Sequence, residues 1–243
     1  DVRFADGAAA SYGLVVGAAG LHSRVRDLAF GARALRYSGY TCWRMVVDAG
    51  HPETPAQEMW GVGKRFGVVP LDGNRVYCFA VTNERAGRPD PEAGRIERLR
   101  AMFAEFRGPV PGLLERIETP GELIKNDLYE IVRQPFFAGR WVLVGDAAHG
   151  MLPDMGQGAA MALEDVLVLA QGIGSGLPLA EVLATWAKRR QGRVRRIQFM
   201  SRRIGEVGQW ESPLACRIRN EATRLMPDAL ALQALTKLAA QPL

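Results

Sequence analysis

Apolar and polar residues alternate with a two-residue period through much of the first third of the chain, which is typical of β-strands. Four runs rich in aromatic and β-branched residues predict an antiparallel sheet: 40–47, 58–62, 65–70 and 75–82. Asp72-Gly73 between the last two runs favours a hairpin, because both residues tolerate the positive φ of a tight turn. Two shorter runs, 1–7 and 12–18, predict another hairpin joined through Ala-Ala-Ala-Ser.

A helical period replaces this alternation further along the chain. Apolar residues at i, i+3, i+7 and i+10 from Ile96 to Phe106 predict an amphipathic helix, which Gly108 and Pro109 end. The remaining pattern predicts a short helix at 111–117, an extended piece at 123–132, a buried strand at 140–144, a helix at 158–170, a long helix from Pro178 to about Gly205, and short helices over 213–243. These elements predict the α/β class, with a separate α+β part that contains the antiparallel sheet.

Composition excludes several classes of protein. With 48% hydrophobic and 23% charged residues in 243, the chain is typical of a globular protein rather than a disordered or fibrous one. Apolar runs such as 166–170 are too short to span a bilayer, so we expect no membrane partner. Three scattered cysteines and three scattered histidines form neither a disulfide framework nor a zinc motif, so we expect no metal site and a reducing cytoplasm.

The net charge of +5 is unevenly distributed, with a cluster of basic residues over 188–203. Clustered arginines neutralise phosphates in nucleic-acid-binding proteins, which is one interpretation of this segment. The other is a solvated helix face that pairs partly with Glu181 or Glu206. We favour the second and expect no nucleic-acid partner, because no nucleic-acid-binding motif accompanies the arginines.

The segment 142–170 carries the most specific chemistry. A strand ends in Gly145-Asp146, a loop with Pro153 follows, and Gly156-Gln157-Gly158 opens an alanine-rich helix. A carboxylate at a strand end accepts hydrogen bonds from sugar hydroxyls, glycines allow close approach of a ligand, and free N–H groups of a helix favour negative charge. A strand–turn–helix in which the glycines serve packing alone is the weaker alternative.

This segment resembles the second FAD-binding motif of the class A FAD-dependent monooxygenases, the flavoprotein aromatic hydroxylases with the para-hydroxybenzoate hydroxylase fold, which reads GDAAHxxxPxxGQG. The resemblance implies that Asp146 holds the ribityl chain and that Pro153 lies beside the isoalloxazine ring. It also implies that N–H groups around 155–157 face the N1/C2 edge of the flavin. The predicted FAD-binding residues here are Gly145, Asp146, Pro153, Met155, Gly156, Gln157 and Gly158.

Residues 17–26, GAAGLHSRVR, resemble the GADGxxSxVR segment of the same family, which contacts FAD and the nicotinamide coenzyme. Arg24 is therefore also a predicted cofactor-binding residue. Two positions depart from the family: Ala19 replaces an aspartate, and Asp154 stands where asparagine is common. The run 40–44 resembles the first strand of the family's substrate sheet, and Trp186, Arg190 and Arg193 match its C-terminal helix.

Three residues of the predicted sheet are candidates for binding substrate: Trp43, Arg44 and Arg65. The arginines either anchor an acidic or phenolic substrate or are edge-strand charges that discourage aggregation. Trp43 either lines an apolar pocket or belongs to the core. We interpret His149 as a support for the loop rather than a general base, and we predict no catalytic side chain.

The resemblance implies an FAD-dependent monooxygenase that uses NAD(P)H and O2 to hydroxylate or epoxidise an aromatic, heterocyclic or otherwise electron-rich small molecule through a flavin C4a-hydroperoxide. A non-hydroxylating FAD oxidoreductase and a flavin-free remnant or interaction domain stay open as alternatives, and so does a homodimer. The family opens with a βαβ unit bearing GxGxxG, and the sequence contains no such unit, so we expect an N-terminally incomplete hydroxylase-like fold.

The same resemblance predicts four segments. They are an FAD-domain segment (1–34), an antiparallel-sheet substrate domain (35–135), a strand, flavin loop and helix of the FAD domain (136–176), and a helical C-terminal region (177–243).

Overall fold

The structure, a computed structural model, describes residues 1–32, 34–49 and 55–227. These residues divide into two compact units. Unit 1 consists of residues 1–36 and 129–204, and unit 2 of residues 37–128 and 205–227. Residues 37–128 of unit 2 thus interrupt unit 1 in sequence, and residues 205–227 follow it.

Ten strands are described: β1 (Val2–Arg3), β2 (Ala9–Ala10), β3 (Val15–Gly17), β4 (Arg36–Asp48), β5 (Gln57–Trp60), β6 (Lys64–Pro70), β7 (Arg75–Asn83), β8 (Ile124–Glu130), β9 (Phe137–Ala138) and β10 (Trp141–Leu143). Seven α-helices are described: α1 (Arg24–Phe30), α2 (Arg95–Met102), α3 (Val110–Glu115), α4 (Asp146–His149), α5 (Gly158–Ile173), α6 (Leu179–Gly208) and α7 (Pro213–Leu225). Single 3-10 turns lie at Pro120–Glu122 and Pro153–Met155. Within the described ranges, none of the helices has both the length and the apolar character to cross a membrane.

Unit 1 contains a small sheet in the order β3-β10-β9, in which β10 runs parallel to β3 and antiparallel to β9. The carboxyl ends of β3 and β10 therefore lie at the same edge, and the Val144 N–H donates to the Gly17 carbonyl at 3.1 Å. Gly17 is required there, because a Cβ would lie 2.8 Å from side-chain atoms of Leu143 and Val25. The core of unit 1 joins this sheet to α5 and α6 through buried residues such as Met161, Leu183, Val194 and Ile197.

Unit 2 contains the five-stranded sheet β5-β6-β7-β4-β8, and β4, β5, β6 and β7 pair antiparallel. One face carries an aromatic core in which the Phe66 ring lies 5.9 Å from that of Phe103 and 6.5 Å from that of Phe106. On the other face Phe79 lies across Gly67, where a Cβ would come within 1.9 Å of the ring.

The predicted antiparallel sheet, the strand at 140–144 and the two long helices are confirmed. The hairpin at Asp72-Gly73 is also confirmed, although residues 71–74 connect its strands and Gly73 alone has a positive φ, 71°. The predicted pairing of 1–7 with 12–18 is wrong. Instead, Ala9 and Ala10, which were assigned to the connecting loop, form β2 and pair with β1. The later run contributes β3, which pairs with β10.

Two further predictions concern helix ends. The helix predicted to run to Gly108 ends at Met102, after which Phe103 leaves the helical region with φ −109°. Phe103 and Phe106 nevertheless reach the core, as their spacing indicates. In the tail, α7 is confirmed, and the prediction for 228–243 lies outside the described residues.

Candidate functional site

The candidate site is the connection from β10 to α5, which we call the GD loop (residues 145–158). Gly145 follows β10 with φ 58° and ψ −142°, and a Cβ there would lie 2.9 Å from the Ala162 Cβ. Only glycine therefore permits both this left-handed turn and the close approach of α5. Gly156, with φ 63°, makes a second left-handed turn immediately before α5.

The outer edge of the GD loop is open to a ligand. Asp146, Pro153 and Gly156 are exposed, and the structure contains no hydrogen bond or ion pair to the Asp146 carboxylate among the described residues. Gln157 precedes α5 without a side-chain cap, so its own side chain accepts no hydrogen bond from the first N–H groups of that helix. A free carboxylate and free helix amides are thus presented on one short segment.

The inner side of the GD loop is held by Asp165, a fully buried residue of α5. One of its carboxylate oxygens accepts hydrogen bonds from the Gly145 N–H at 3.0 Å and from His149 Nε2 at 2.6 Å. The other oxygen accepts from Arg190 Nε at 2.8 Å. Trp186 adds a bond from its indole N–H to the Asp165 carbonyl at 3.0 Å. Asp165 thereby ties the start of the loop to α6.

The electrostatics of this cluster keep Asp165 ionised. Burial alone would raise the pKa of Asp165, but hydrogen bonds from His149, Arg190 and the Gly145 N–H lower it overall. An ionised carboxylate only accepts hydrogen bonds, so His149 Nε2 carries the proton and donates it. His149 is 1% exposed and supports the loop, as the sequence indicated.

The basic segment of α6 requires a correction. We interpreted it as a solvated face that pairs partly with Glu181 or Glu206, and Lys188, Arg189, Arg195, Arg196 and Arg203 are indeed exposed. Arg190 is the exception, because it is only 1% exposed and pairs with Asp165 and Glu164. Arg193 donates two bonds to Glu164, at 2.7 and 2.9 Å. Glu164 and Asp165 lie on α5, so Arg190 and Arg193 find these partners through tertiary packing rather than along their own helix.

Two polar residues of α6 that the sequence analysis missed hold the backbone of the GD loop. Gln198 Nε2 lies 3.1 Å from both the His149 and Ile131 carbonyls, and the Ser201 hydroxyl donates to the Leu152 carbonyl at 2.6 Å. Asp165 was also missed, although it occupies a buried position of α5 in series with Met161, Val168 and Leu169. An acidic residue at a core position of a helix was the signal that could have identified it.

The structure places the segment 17–26 beside the GD loop within unit 1. A Cβ on Gly150 would lie 2.4 Å from the Leu21 side chain, so the two segments pack closely. Ser23 caps α1 by accepting from the Arg26 N–H at 3.2 Å, and Arg26 is buried with Nη1 on the Leu21 carbonyl at 2.8 Å. Arg24, the predicted cofactor ligand, is the exposed first residue of α1.

The three candidate substrate residues lie in unit 2 on two faces of the sheet. Trp43 is paired with Ala80, which also faces Phe66, so Trp43 lies on the core face and is 4% exposed. Arg44 and Arg65 lie on the opposite face. Their strands, β4 and β6, are interior strands, so the interpretation as edge-strand charges is wrong.

The two arginines also differ in accessibility. Arg44 is half-buried and donates to Asn126 Oδ1 at 3.0 Å. Arg65 is 3% exposed, lies 3.2 Å from Glu58 and 3.1 Å from Gln209 Oε1, and stacks 5.5 Å from the centre of the Tyr40 ring. Of the two, Arg44 is the more accessible to a ligand.

The sequence pattern that defines the FAD binding domain family matches residues 9–198. The chain is 40% identical over 231 residues to 2-heptyl-3-hydroxy-4(1H)-quinolone synthase of Pseudomonas aeruginosa, an alignment that covers 94% of this chain and 60% of that protein. It is also 40% identical over 229 residues to aurachin C monooxygenase/isomerase of Stigmatella aurantiaca, over 93% of this chain and 59% of that protein. The chain thus spans about three fifths of the length of these curated relatives.

A solved structure agrees with these matches. Klebsiella pneumoniae HpxO, crystallised with FAD and uric acid, superimposes with a TM-score of 0.88 at 26% identity. The superposition covers 99% of this chain and 63% of HpxO.

Proposed function

The chain belongs to the FAD binding domain family, and from that premise we propose that it forms the flavin-binding and substrate-binding part of an FAD-dependent monooxygenase. The substrate class proposed is an electron-rich aromatic or heterocyclic molecule, which is hydroxylated or epoxidised. A quinolone and urate appear in the names of relatives, and both are nitrogen heterocycles. The Pseudomonas relative named for a quinolone is 40% identical and the Klebsiella urate hydroxylase 31%, which favours a quinolone-like substrate over urate.

One observation carries this proposal: the exposed Asp146 carboxylate shares the GD loop with the uncapped N–H groups of α5. A ribityl chain offers hydroxyl donors that suit Asp146, and the pyrimidine edge of a flavin offers acceptors that suit helix N–H groups. Gly156 and Gly158 keep the approach free of side chains, whereas Gly145 permits the turn and the close packing of α5. Pro153, Met155 and Gln157 complete the proposed FAD-binding set on the loop, and Arg24 is the proposed contact from α1.

When bound, FAD supplies the electron transfer and the oxygen chemistry, with NAD(P)H and O2 as proposed co-substrates. The side chains then have four roles: they bind the flavin, orient it, stabilise negative charge on its pyrimidine edge and exclude water. The buried Asp165–Arg190 pair serves orientation, because it fixes Gly145 at the start of the loop. No protein nucleophile is required for such a reaction, and none is proposed.

On the substrate side, Arg44 is the proposed contact for an acidic or phenolic oxygen, because it is half-buried rather than enclosed. Trp43 and Arg65 stay predictions as ligand contacts, and their packing indicates that they shape the sheet that presents Arg44. The predicted segments 1–34, 35–135, 136–176 and 177–243, the cytoplasmic location and the homodimer also stay predictions.

The test is a titration of the 243-residue chain with FAD, followed by flavin fluorescence and the visible spectrum. We expect saturable binding with a resolved shift of the flavin bands. Asp146→Asn should weaken it about 10-fold to 100-fold, the effect of losing one charge-assisted hydrogen bond. Glu181→Gln, which alters an exposed acid of α6 outside the loop, is the matched control.

Two outcomes would contradict parts of this proposal. Unchanged FAD affinity in both folded variants, Asp146→Asn and Asp146→Ala, would contradict the assignment of Asp146. A folded chain that binds no FAD at all would favour the flavin-free alternative for this part of the protein.

A further inference from the structure

The outward side of α6 carries positive charge that the GD loop does not use. Residues 188–203 include eight basic side chains and no aspartate or glutamate. Three of the eight are drawn inward: Arg190 and Arg193 pair with acids of α5, and Arg202 pairs with Glu130. The other five, which we call the basic face, are exposed: Lys188, Arg189, Arg195, Arg196 and Arg203.

Helical geometry aligns the basic face along α6. Pairs of basic residues recur every seven residues, at 188–189, 195–196 and 202–203. Seven residues are close to two turns of an α-helix, so corresponding members of the pairs lie on the same side of it. The first and last pairs are about 20 Å apart along the helix axis. The exposed charges therefore form one continuous stripe.

The basic face lacks nearby counter-charges. Within the described part of the chain, Lys188, Arg189, Arg195 and Arg196 take part in no ion pair and no side-chain hydrogen bond. Like charges on one stripe repel one another, and a partner with negative charge spread over a similar length relieves this repulsion. The packing of α6 does not need these cations, because its core contacts come from apolar residues such as Leu183 and Ile197.

Two apolar side chains are exposed beside the basic face. Phe199 is 56% exposed, and the Arg203 guanidinium lies 5.3 Å from the centre of its ring. Val132 is 40% exposed and lines the same recess as Phe199 and Arg195. A bilayer with acidic lipids offers negative headgroups and, just beneath them, hydrocarbon. Clustered Lys and Arg with an exposed aromatic ring match both layers.

Nucleic acid is the other extended anion that could meet such a stripe. Proteins that bind single-stranded nucleic acid stack bases on free faces of aromatic rings. One face of the Phe199 ring is covered by Arg203, and the sequence contains no nucleic-acid-binding motif. A lipid surface does not require a free ring face, because acyl chains contact a ring from any side. The lipid surface is therefore the better match.

We propose that the basic face of α6 docks on the surface of an anionic lipid bilayer, with the helix axis along the plane of the membrane. The five cations contact the headgroups, and Phe199 and Val132 contact the boundary between headgroups and acyl chains. The sequence analysis expected no membrane partner because the apolar runs are short. That criterion concerns helices that span a bilayer and does not apply to a surface contact made through charge.

The test is sedimentation of the full 243-residue chain with lipid vesicles. Vesicles of phosphatidylcholine alone are compared with vesicles that contain about one third phosphatidylserine. At about 0.05 M salt we expect binding to the anionic vesicles at least about tenfold stronger than to the neutral ones, and we expect about 0.5 M salt to remove it. Equal binding to both kinds of vesicle, or no binding to the anionic ones, would overturn the proposal.

Variants locate the contact. Each cation near an anionic surface contributes about fivefold to the partition coefficient, so replacing four of them with glutamine should lower it at least about 100-fold. The double variant Arg195→Gln with Arg196→Gln should lower it about 25-fold and provides the same test with fewer changes. The four positions replaced in the larger variant are Lys188, Arg189, Arg195 and Arg196.

The matched control removes the same charge from exposed arginines of unit 2. It should change the partition coefficient by less than about threefold, because the net charge of the chain contributes less than charges at the contact. Since every replaced side chain is exposed, we expect the urea midpoints of both variants to stay near that of the unaltered chain. Equal losses of vesicle binding in the two variants would overturn the proposal. The control positions, all changed to glutamine, are Arg85, Arg107, Arg116 and Arg217.

Phe199→Ala tests the apolar part of the contact at constant charge, and it should lower the partition coefficient about threefold to tenfold. Binding of the same proteins to single-stranded and duplex oligonucleotides tests the other partner. If the basic-face variant loses oligonucleotide binding but keeps vesicle binding, the basic face contacts nucleic acid and the proposal is wrong. The FAD titration is a separate measurement, so failure of the proposed function is distinguishable from failure of this inference.

Discussion

Unit 1 and unit 2 both bury an arginine, but they surround it with different chemistry. Arg190 in unit 1 meets two carboxylates, those of Glu164 and Asp165. The partners of Arg65 in unit 2 include the Glu58 carboxylate, the neutral amide of Gln209 and the face of Tyr40. The first arrangement is part of the core beneath the GD loop, the proposed flavin-binding segment, whereas the second lies on the sheet face opposite an apolar aromatic core.

The two surroundings indicate two different roles, one in positioning nearby groups and one in stabilising the fold. Buried ion clusters add little net stability over apolar packing, since desolvation offsets most of the attraction between the charges. They do specify geometry, because each partner accepts only a few directions of approach. We therefore infer that the Asp165 cluster is retained in unit 1 for the position of Gly145 and His149, whereas the phenylalanine core of unit 2 serves stability.

Asp165→Ala should have the largest effect, because it leaves Arg190 without its Asp165 contact and removes the acceptor for Gly145 and His149. We expect a loss of about 3–5 kcal/mol in the free energy of unfolding, measured by urea denaturation, from breaking a buried pair. FAD affinity should fall as well, since the start of the GD loop loses its anchor. Asp165→Asn, which keeps one acceptor oxygen, should recover part of both losses.

A role in positioning is distinguished from general destabilisation by measuring both the free energy of unfolding and the Kd for FAD on the same samples. If FAD affinity is unchanged in folded Asp165→Ala protein, the residue supports stability alone and the contrast between the units fails.

Phe66→Ala is the counterpart in unit 2. It removes a ring that contacts Phe103 and Phe106 in a fully buried position, so we expect a similar loss of about 3–5 kcal/mol in the free energy of unfolding. The Kd for FAD, measured below the unfolding transition, should not change. A matching fall in FAD affinity would show that any loss of stability weakens the flavin site.

The two units also differ in how much the sequence predicts. In unit 2 the alternation of residues identifies the strands, and it assigns Phe66 and Arg65 to opposite faces because neighbouring residues of a strand point apart. Such local periodicity needs no knowledge of distant partners. The faces of the sheet could therefore be predicted. The short strand Ala9–Ala10 of unit 1 could not, since alanine has little preference for strands.

In unit 1 the motif predicts the turns and the exposed carboxylate of the GD loop, but not what supports them. Arg190 and Asp165 are 25 residues apart on different helices, and only the packing of α5 against α6 brings them together. Glu181 was the nearer acid in sequence, and proximity along the chain misled the interpretation. Partner choice among buried charges depends on tertiary geometry that a single sequence does not contain.

Acid should affect unit 1 through the same cluster. Burial opposes ionisation of Glu164 and Asp165, but hydrogen bonds from Arg193, Arg190 and His149 lower both pKa values below their unfolded values of 4.5 and 3.8. This stabilisation is present above about pH 4.5 and is lost as the pH falls further. The free energy of unfolding, followed by urea midpoints from about pH 6 to about pH 3, should therefore decrease.

The carboxylate responsible is identified with a variant. Asp90 in unit 2 contributes to the acid slope as well, because hydrogen bonds from Arg95 and Arg98 outweigh its partial burial and lower its pKa. Glu164→Gln should therefore reduce the slope without abolishing it. An unchanged slope in that variant would assign the acid sensitivity to other groups.

Alkaline pH should lower the free energy of unfolding through a group in unit 2, by less than the substitutions above. Cys78 is fully buried, and burial raises the pKa of its thiol from 9.0 to about 12. The stability that follows from this difference is present below about pH 9 and is lost as the pH rises, because the unfolded chain ionises Cys78 first. At about pH 10 the loss amounts to about 1.4 kcal/mol relative to neutral pH, and Cys78→Ala should remove that part of the alkaline slope.

Urea midpoints for the unaltered chain and for Cys78→Ala, at neutral pH and at about pH 9 and 10, measure this loss of stability. If the slopes are equal, the thiol is ionised in the folded chain or other groups dominate, and alkali does not report on the core of unit 2.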